Sequence, residues 1–128
     1  MRGYDHTPVS DRFRDQLIKI QINGIETKVR FRVSKEKWSP SFEHISINLF
    51  GVTYKEAATI IWTAGRDTQG NAVAKYGWSI SSEEELWDSV NTLGYKGKRW
   101  TYNSADDCME GLVKYVKKCL VTGNLEWK

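Results

Sequence analysis

Asn23-Gly24, set between two runs that alternate apolar and polar residues, constrains this chain more than any other feature. A two-residue turn of this kind needs positive φ at both positions, which Asn and Gly tolerate, and it locks the flanking strands into one register. That register places Ile22 opposite Ile25, Ile20 opposite Thr27 and Ile18 opposite Val29, so Leu17–Val33 has one apolar face. The other face carries Lys19 across from Lys28 and Gln21 across from Glu26, with Arg30 and Arg32 beyond. Like charges directly across a ladder are mildly destabilising. Two explanations stand: an anionic partner on this face, or plain solvation of a charged sheet surface.

The remaining elements follow from periodicity and chain breakers. After Ser39-Pro40-Ser41, Ile45, Ile47 and Leu49 alternate with Ser46 and Asn48 as a third strand ending at Gly51. Within Lys55–Ala64, Glu56-Ala57-Ala58 suits a helix and Thr59–Thr63 suits a buried strand; β-branched and aromatic residues favour strand from Ala58. The loop Gly65–Asn71 leads into Ala72–Ile80 and closes a second hairpin. Ser81 or Ser82, with Glu84 or Glu85 three residues later, forms a capping box for a helix. Leu86, Val90 and Leu93 are its apolar stripe, Trp87 lies beside it, and Gly94 stops it. Tyr95–Tyr102 suits a short edge strand.

A second helix begins at Ser104, with Asp106 and Asp107 in its first turn and Lys117 and Lys118 in its last, complementing the helix dipole. Cys108, Leu112, Val116 and Cys119, with Met109, Val113 and Leu120, form its core stripe, and Gly123 ends it. Residues 1–14 carry Pro8 and little periodicity, the pattern of a flexible or docking arm ahead of a single domain over 15–128. The expected fold is α+β: a small antiparallel sheet of about five strands in two hairpins, with two C-terminal helices packed on one face.

Several function classes are disfavoured. The longest largely apolar stretch, Ala57–Trp62, is far below the roughly 18 residues of a membrane span. Met1–His6 lacks the apolar stretch of a signal peptide, which predicts a cytoplasmic location. Cys108 and Cys119 fall about 16 Å apart on one helix, beyond disulfide reach, as expected of reduced core thiols. His6 and His44 have no carboxylate pattern that makes either a triad member, and the cysteines and histidines match no zinc spacing. No glycine-rich phosphate loop is present, and the acids at 83–85 and 106–107 belong to helix starts. No metal or cofactor is expected. An enzyme acting on nucleotide phosphates would lack an identifiable base.

The formal charge of +3 decides little, but its distribution is uneven. Residues 28–37 hold Lys28, Arg30, Arg32, Lys35 and Lys37 against Glu36, and 96–99 hold Lys96, Lys98 and Arg99 with no acid. Six tryptophans and six tyrosines exceed what so small a core commonly takes. Around Trp62–Asp67 and Tyr76-Gly77-Trp78, Gly65 and Gly77 allow close approach of a ligand. There Arg66 suits a phosphate, and Asp67 suits a ribose hydroxyl or exocyclic amine. The plainer alternative is a local turn, with Trp62 and Trp78 as cross-strand core neighbours. Tyr95–Tyr102 interleaves rings and cations as a base-stacking surface does. Its plainer alternative buries Trp100 and Tyr102 and leaves the cations to protect the edge.

Together these features predict a non-enzymatic binding protein for an anionic nucleotide or nucleic acid. Trp78, Trp100 and Tyr102 would stack on bases, while Lys28, Arg30, Arg66 and Arg99 would meet phosphates. In overall style the chain resembles small accessory proteins of phages and mobile elements, some of which bind nucleotide signals or nucleic acid without chemistry. That likeness implies sequestration of a nucleotide signal, in the host cytoplasm if phage-encoded, and carries over no individual residue. The alternative is an inhibitor or adaptor that docks an acidic protein surface through the basic hairpin, with Trp127 as an anchor. A free sheet edge also makes a homodimer plausible.

Overall fold

The computed structural model describes residues 9–34, 42–90, 92–94 and 96–122, with the side chains of Phe42, Trp100 and Thr122 outside that description. Six strands form one antiparallel sheet in strict chain order: β1 (Asp15–Ile22), β2 (Ile25–Val33), β3 (Phe42–Leu49), β4 (Val52–Arg66), β5 (Ala72–Ile80) and β6 (Gly97–Tyr102). Helix α1 (Glu85–Ser89) and helix α2 (Ala105–Thr122) complete an α+β fold. The edge strands β1 and β6 both pack against α2, as do β4 and β5, so the sheet curls around the helix as a half-barrel. No helix among the described residues is long and apolar enough to cross a membrane.

The Asn-Gly turn does what its sequence dictates. Asn23 and Gly24 have φ of 52° and 80°, and the ladder pairs Ile22 with Ile25, Ile20 with Thr27, Ile18 with Val29 and Lys19 with Lys28. The apolar face turns inward: Ile20, Ile22, Val29 and Phe31 are buried beside Ile45, Ile47 and Leu49 of β3. Leu112, Val116, Cys119 and Leu120 of α2 fill the hollow of the sheet. Ser104 caps that helix, its Oγ accepting the Asp107 N–H at 3.1 Å.

Three departures from expectation have physical causes. First, the sheet has six strands: Gly97–Tyr102 joins it by pairing with β5 across a bulge, and β3 runs straight into β4 through a second tight turn. Phe50 and Gly51 take φ of 54° and 80°, nearly the values of Asn23 and Gly24. A phenylalanine hides this turn because the left-handed region penalises any Cβ, by about 1–2 kcal/mol per residue. Phe50→Asn is therefore expected to raise stability by about 1 kcal/mol in urea denaturation. A loss would show that the ring contributes more than the backbone strain costs.

Second, β4 begins at Val52, six positions before the expected Ala58. Its helix-like Glu56-Ala57-Ala58 segment is a bulge: Glu56 has φ of 54°, and the register slips between the pairs Ile47–Tyr54 and Ile45–Ala58. Third, the expected helix from Ser81 to Gly94 contracts to Glu85–Ser89. Ser89, Val90 and Thr92 are poor helix formers, and Trp87 is anchored sideways by its Nε1–H donating to the Ala57 carbonyl at 2.7 Å. Leu86 and Val90 are buried as expected, but Leu93 is exposed.

Residues 9–14 pack onto the domain. Val9 is buried, and Arg14 Nη1 donates to Glu43 Oε1 at 2.6 Å and to the Val9 carbonyl at 3.2 Å. Arg14 Nη2 donates to the Ser34 carbonyl at 2.9 Å. Glu43 Oε2 in turn accepts the Val9 N–H at 2.9 Å. His6 and Trp127 lie outside the described residues.

Candidate functional site

Strand β6 and helix α2 border an open cavity of about 490 Å³. Its floor is aromatic. The rings of Trp78 and Tyr115 lie 4.8 Å apart at 32°, and Trp78 Nε1 donates to Tyr102 Oη at 3.2 Å. Tyr102 reaches this position because residue 111 of α2 is glycine; a Cβ there would collide with the hydroxyl and ring. Gly111→Ala gains about 1 kcal/mol of helix propensity and loses the Tyr102–Trp78 bond, worth about as much. The expected melting temperature is nearly unchanged, while the Tyr102 ring is displaced and the cavity altered. Unaltered Trp78 indole and Tyr102 ring signals in NMR spectra of this variant would contradict that geometry.

The rim is cationic. Lys98 stands opposite Trp78 in the β5–β6 ladder, with its Nζ 5.8 Å from the Tyr102 ring centroid, within cation–π range. Lys114, Lys117 and Lys118 project from one face of α2, at helical spacings of three and four. Lys114 pairs with Glu110 at 3.3 Å, an exposed ion pair of little strength. No carboxylate lines the cavity among the described residues. Four ammonium groups thus gather beside low-polarity walls, with Glu110 and Asp107 just beyond, lining the adjoining hollow.

A second hollow, of about 640 Å³, lies on the opposite face of β5 and β6. Side chains alternate along a strand, so Gly97 and Ser79 point away from the face that carries Lys98 and Trp78. Gly77, buried, and Gly97, half-buried, line it without side chains, Ile61 supplies an apolar wall, and Lys96 and Arg99 stand at the margin.

The residues expected to bind ligand divide among different places. Trp78 and Tyr102 come together at the first cavity, but Trp78 is only 2% exposed. It cannot offer a face to a base, because Tyr115 covers it and the core encloses it. Arg99 borders the second hollow. Trp100 belongs to β6, with its side chain outside the described residues.

Arg66 and Asp67 build the β4–β5 turn instead. Arg66 Nη1 donates to the Gly70 carbonyl at 2.8 Å. Asp67 Oδ1 accepts the Gln69 and Asn71 N–H groups at 2.9 and 2.8 Å. These bonds, that from Asn71 foremost, hold the Asp67 carboxyl below its usual range. This is the local turn, with Gly65 filled over by the Lys75 side chain.

On the basic hairpin, Arg30 grips Asp15 with two bonds, Nε to Oδ1 at 2.8 Å and Nη2 to Oδ2 at 3.1 Å. Arg32 Nε lies 3.4 Å from the same carboxylate, and the Arg30 bond foremost lowers the Asp15 pKa. Glu26 lies 3.9 Å from Lys19. The like charges are thus interleaved with acids, and Lys28 with Arg30 and Arg32 borders a shallow hollow of about 510 Å³.

Sequence reasoning missed the α2 contribution. The signals were present: Lys114, Lys117, Lys118 and Val121 share one helical face, and a mid-helix glycine at 111 costs about 1 kcal/mol unless something needs the space. Lys117 and Lys118 also lie before the last turn of the helix, which runs to Thr122. Burial pushes the Cys108 thiol up to about 12, far from nucleophilic use. Among the described residues no group of three or more His, Cys, Asp or Glu is placed to hold a metal ion. Compared with known protein families, curated proteins and solved structures, the chain matches none.

Proposed function

We propose that the protein binds, without transforming, a phosphate-bearing nucleotide unit in the cavity between β6 and α2. One observation carries this: four lysines surround an aromatic floor with no carboxylate among the described lining residues. Tyr102, half-buried at the rim, is the ring on which a base would rest. Lys114, Lys117 and Lys118 would meet the phosphates with their ammonium groups, and Lys98 would close over the ring from β6. A volume of about 490 Å³ suits one nucleotide unit. Binding without turnover fits sequestration of a nucleotide signal.

The alternative, an acidic protein docked through the basic hairpin, has weaker support because Asp15 already occupies Arg30 and Arg32. Calorimetric titration of ATP and dTMP at low salt tests the proposal. Binding is expected to weaken with added salt and to fall about tenfold or more, about 1.4 kcal/mol, in the double variant Lys114→Ala/Lys117→Ala. Equal affinity in that variant, or no heat at any nucleotide concentration, contradicts it.

A further inference from the structure

The two cavities share β6, and β6 is an edge strand of the sheet. One lies on its inner face beneath Lys98 and α2, the other on its outer face between Lys96 and Arg99. Neither is lined by a carboxylate among the described residues. The ladder bulges between them, with three residues of β6 set against Gly77 alone.

We infer that the ligand is a single-stranded nucleic acid that passes over the β6 edge and seats one nucleotide in each cavity; this rests on the nucleotide-binding proposal above. The outer hollow suits a planar base. Half-buried Gly97 adds no side chain to it, Ile61 gives an apolar contact, and Lys96 and Arg99 reach phosphates on either side. The thickness crossed is on the order of 10 Å, the depth of one packed sheet layer, a span of a few nucleotides. A duplex is too wide and too stiff to fold over a single strand edge, whereas a flexible single strand turns there freely. The bases then enter recessed sites and the backbone follows a line of cations, as single-strand binding requires. A free mononucleotide would engage the inner cavity alone.

The test compares fluorescein-labelled oligo(dT) dinucleotide and dodecamer by anisotropy, with dTMP by calorimetry, on the full chain. The wild-type protein is expected to bind the dodecamer at least tenfold more tightly than the dinucleotide. Lys96→Ala/Arg99→Ala, two exposed side chains, is expected to remove about tenfold of dodecamer affinity and leave dTMP binding unchanged. It should also reduce the slope of log affinity against log salt by about 1.4, about 0.7 per cation lost. A circular dichroism melt matching wild type confirms that the variant folds. Unchanged dodecamer affinity in this variant, with dTMP still bound at the inner cavity, overturns the wrapped-strand inference and leaves the nucleotide proposal standing. Loss of both dTMP and dodecamer binding in the wild-type protein overturns both.

Discussion

Trp78→Ala is expected to remove about 3–5 kcal/mol of folding free energy, the range for deleting a buried aromatic ring. Trp78 is 2% exposed and packs against the Tyr115 ring in a tilted pair. Its loss opens a void under α2 and strips Tyr102 Oη of its indole donor. Against the 5–15 kcal/mol of a typical domain, that leaves a marginal fold, visible as a large drop in the urea midpoint. Trp78→Phe should retain much of the packing against Tyr115 and cost clearly less. A loss under about 1 kcal/mol for the alanine variant would mean the ring is not a core element, and the aromatic floor of the cavity would go with it.

Arg14→Ala is expected to be of similar size, about 3–5 kcal/mol, for a different reason. Arg14 and Glu43 have side-chain exposures of only 17% and 11%. Removing the guanidinium leaves a mostly buried carboxylate facing the Val9 N–H, and breaking such a pair costs more than the pair contributes. It also frees the Val9 and Ser34 carbonyls that Arg14 ties together. Arg14→Met/Glu43→Leu, which removes both charges at similar volume, should recover most of the loss in thermal melts. A double variant as unstable as Arg14→Ala would show that the clamp acts through its bonds to backbone and not through the ion pair.

How much of this was legible differs from element to element. The first hairpin could be written down pair by pair, because Asn-Gly leaves one register and one buried face. The same register sets Asp15 opposite Arg32, with Arg30 diagonal to it; carried three pairs beyond Ile18–Val29, it shows the arginines already matched. The Phe50-Gly51 turn was hidden because its backbone conformation opposes the preference of its own residue. The Glu56 bulge was hidden likewise: a lone left-handed residue inside a strand has no periodic signature.

The candidate site was half visible. Lys96, Lys98, Arg99 and Tyr102 form a local run in the sequence, but Lys98 and Tyr102 border the inner cavity, Arg99 the outer hollow, and Lys96 reaches that hollow from just ahead of the strand. Trp78 looked like a ligand platform because composition cannot separate an exposed ring from a core ring. The lysines of α2 join the site only through tertiary packing. Dipole complementarity gives Lys117 and Lys118 a sufficient local reason in the sequence, which masks their place beside the cavity.

The most direct test of the account follows the amide and indole resonances of isotopically labelled protein during titration with dTMP at low salt. The Trp78 indole N–H donates to Tyr102 Oη and sits at the cavity floor, so it reports on Tyr102 as the ring is engaged. The expected result is a saturable shift of that resonance together with Lys98, Gly111 and Lys114, while Lys19 and Lys28 of the first hairpin stay in place. Shifts confined to the hairpin, or none at saturating nucleotide, would contradict the account.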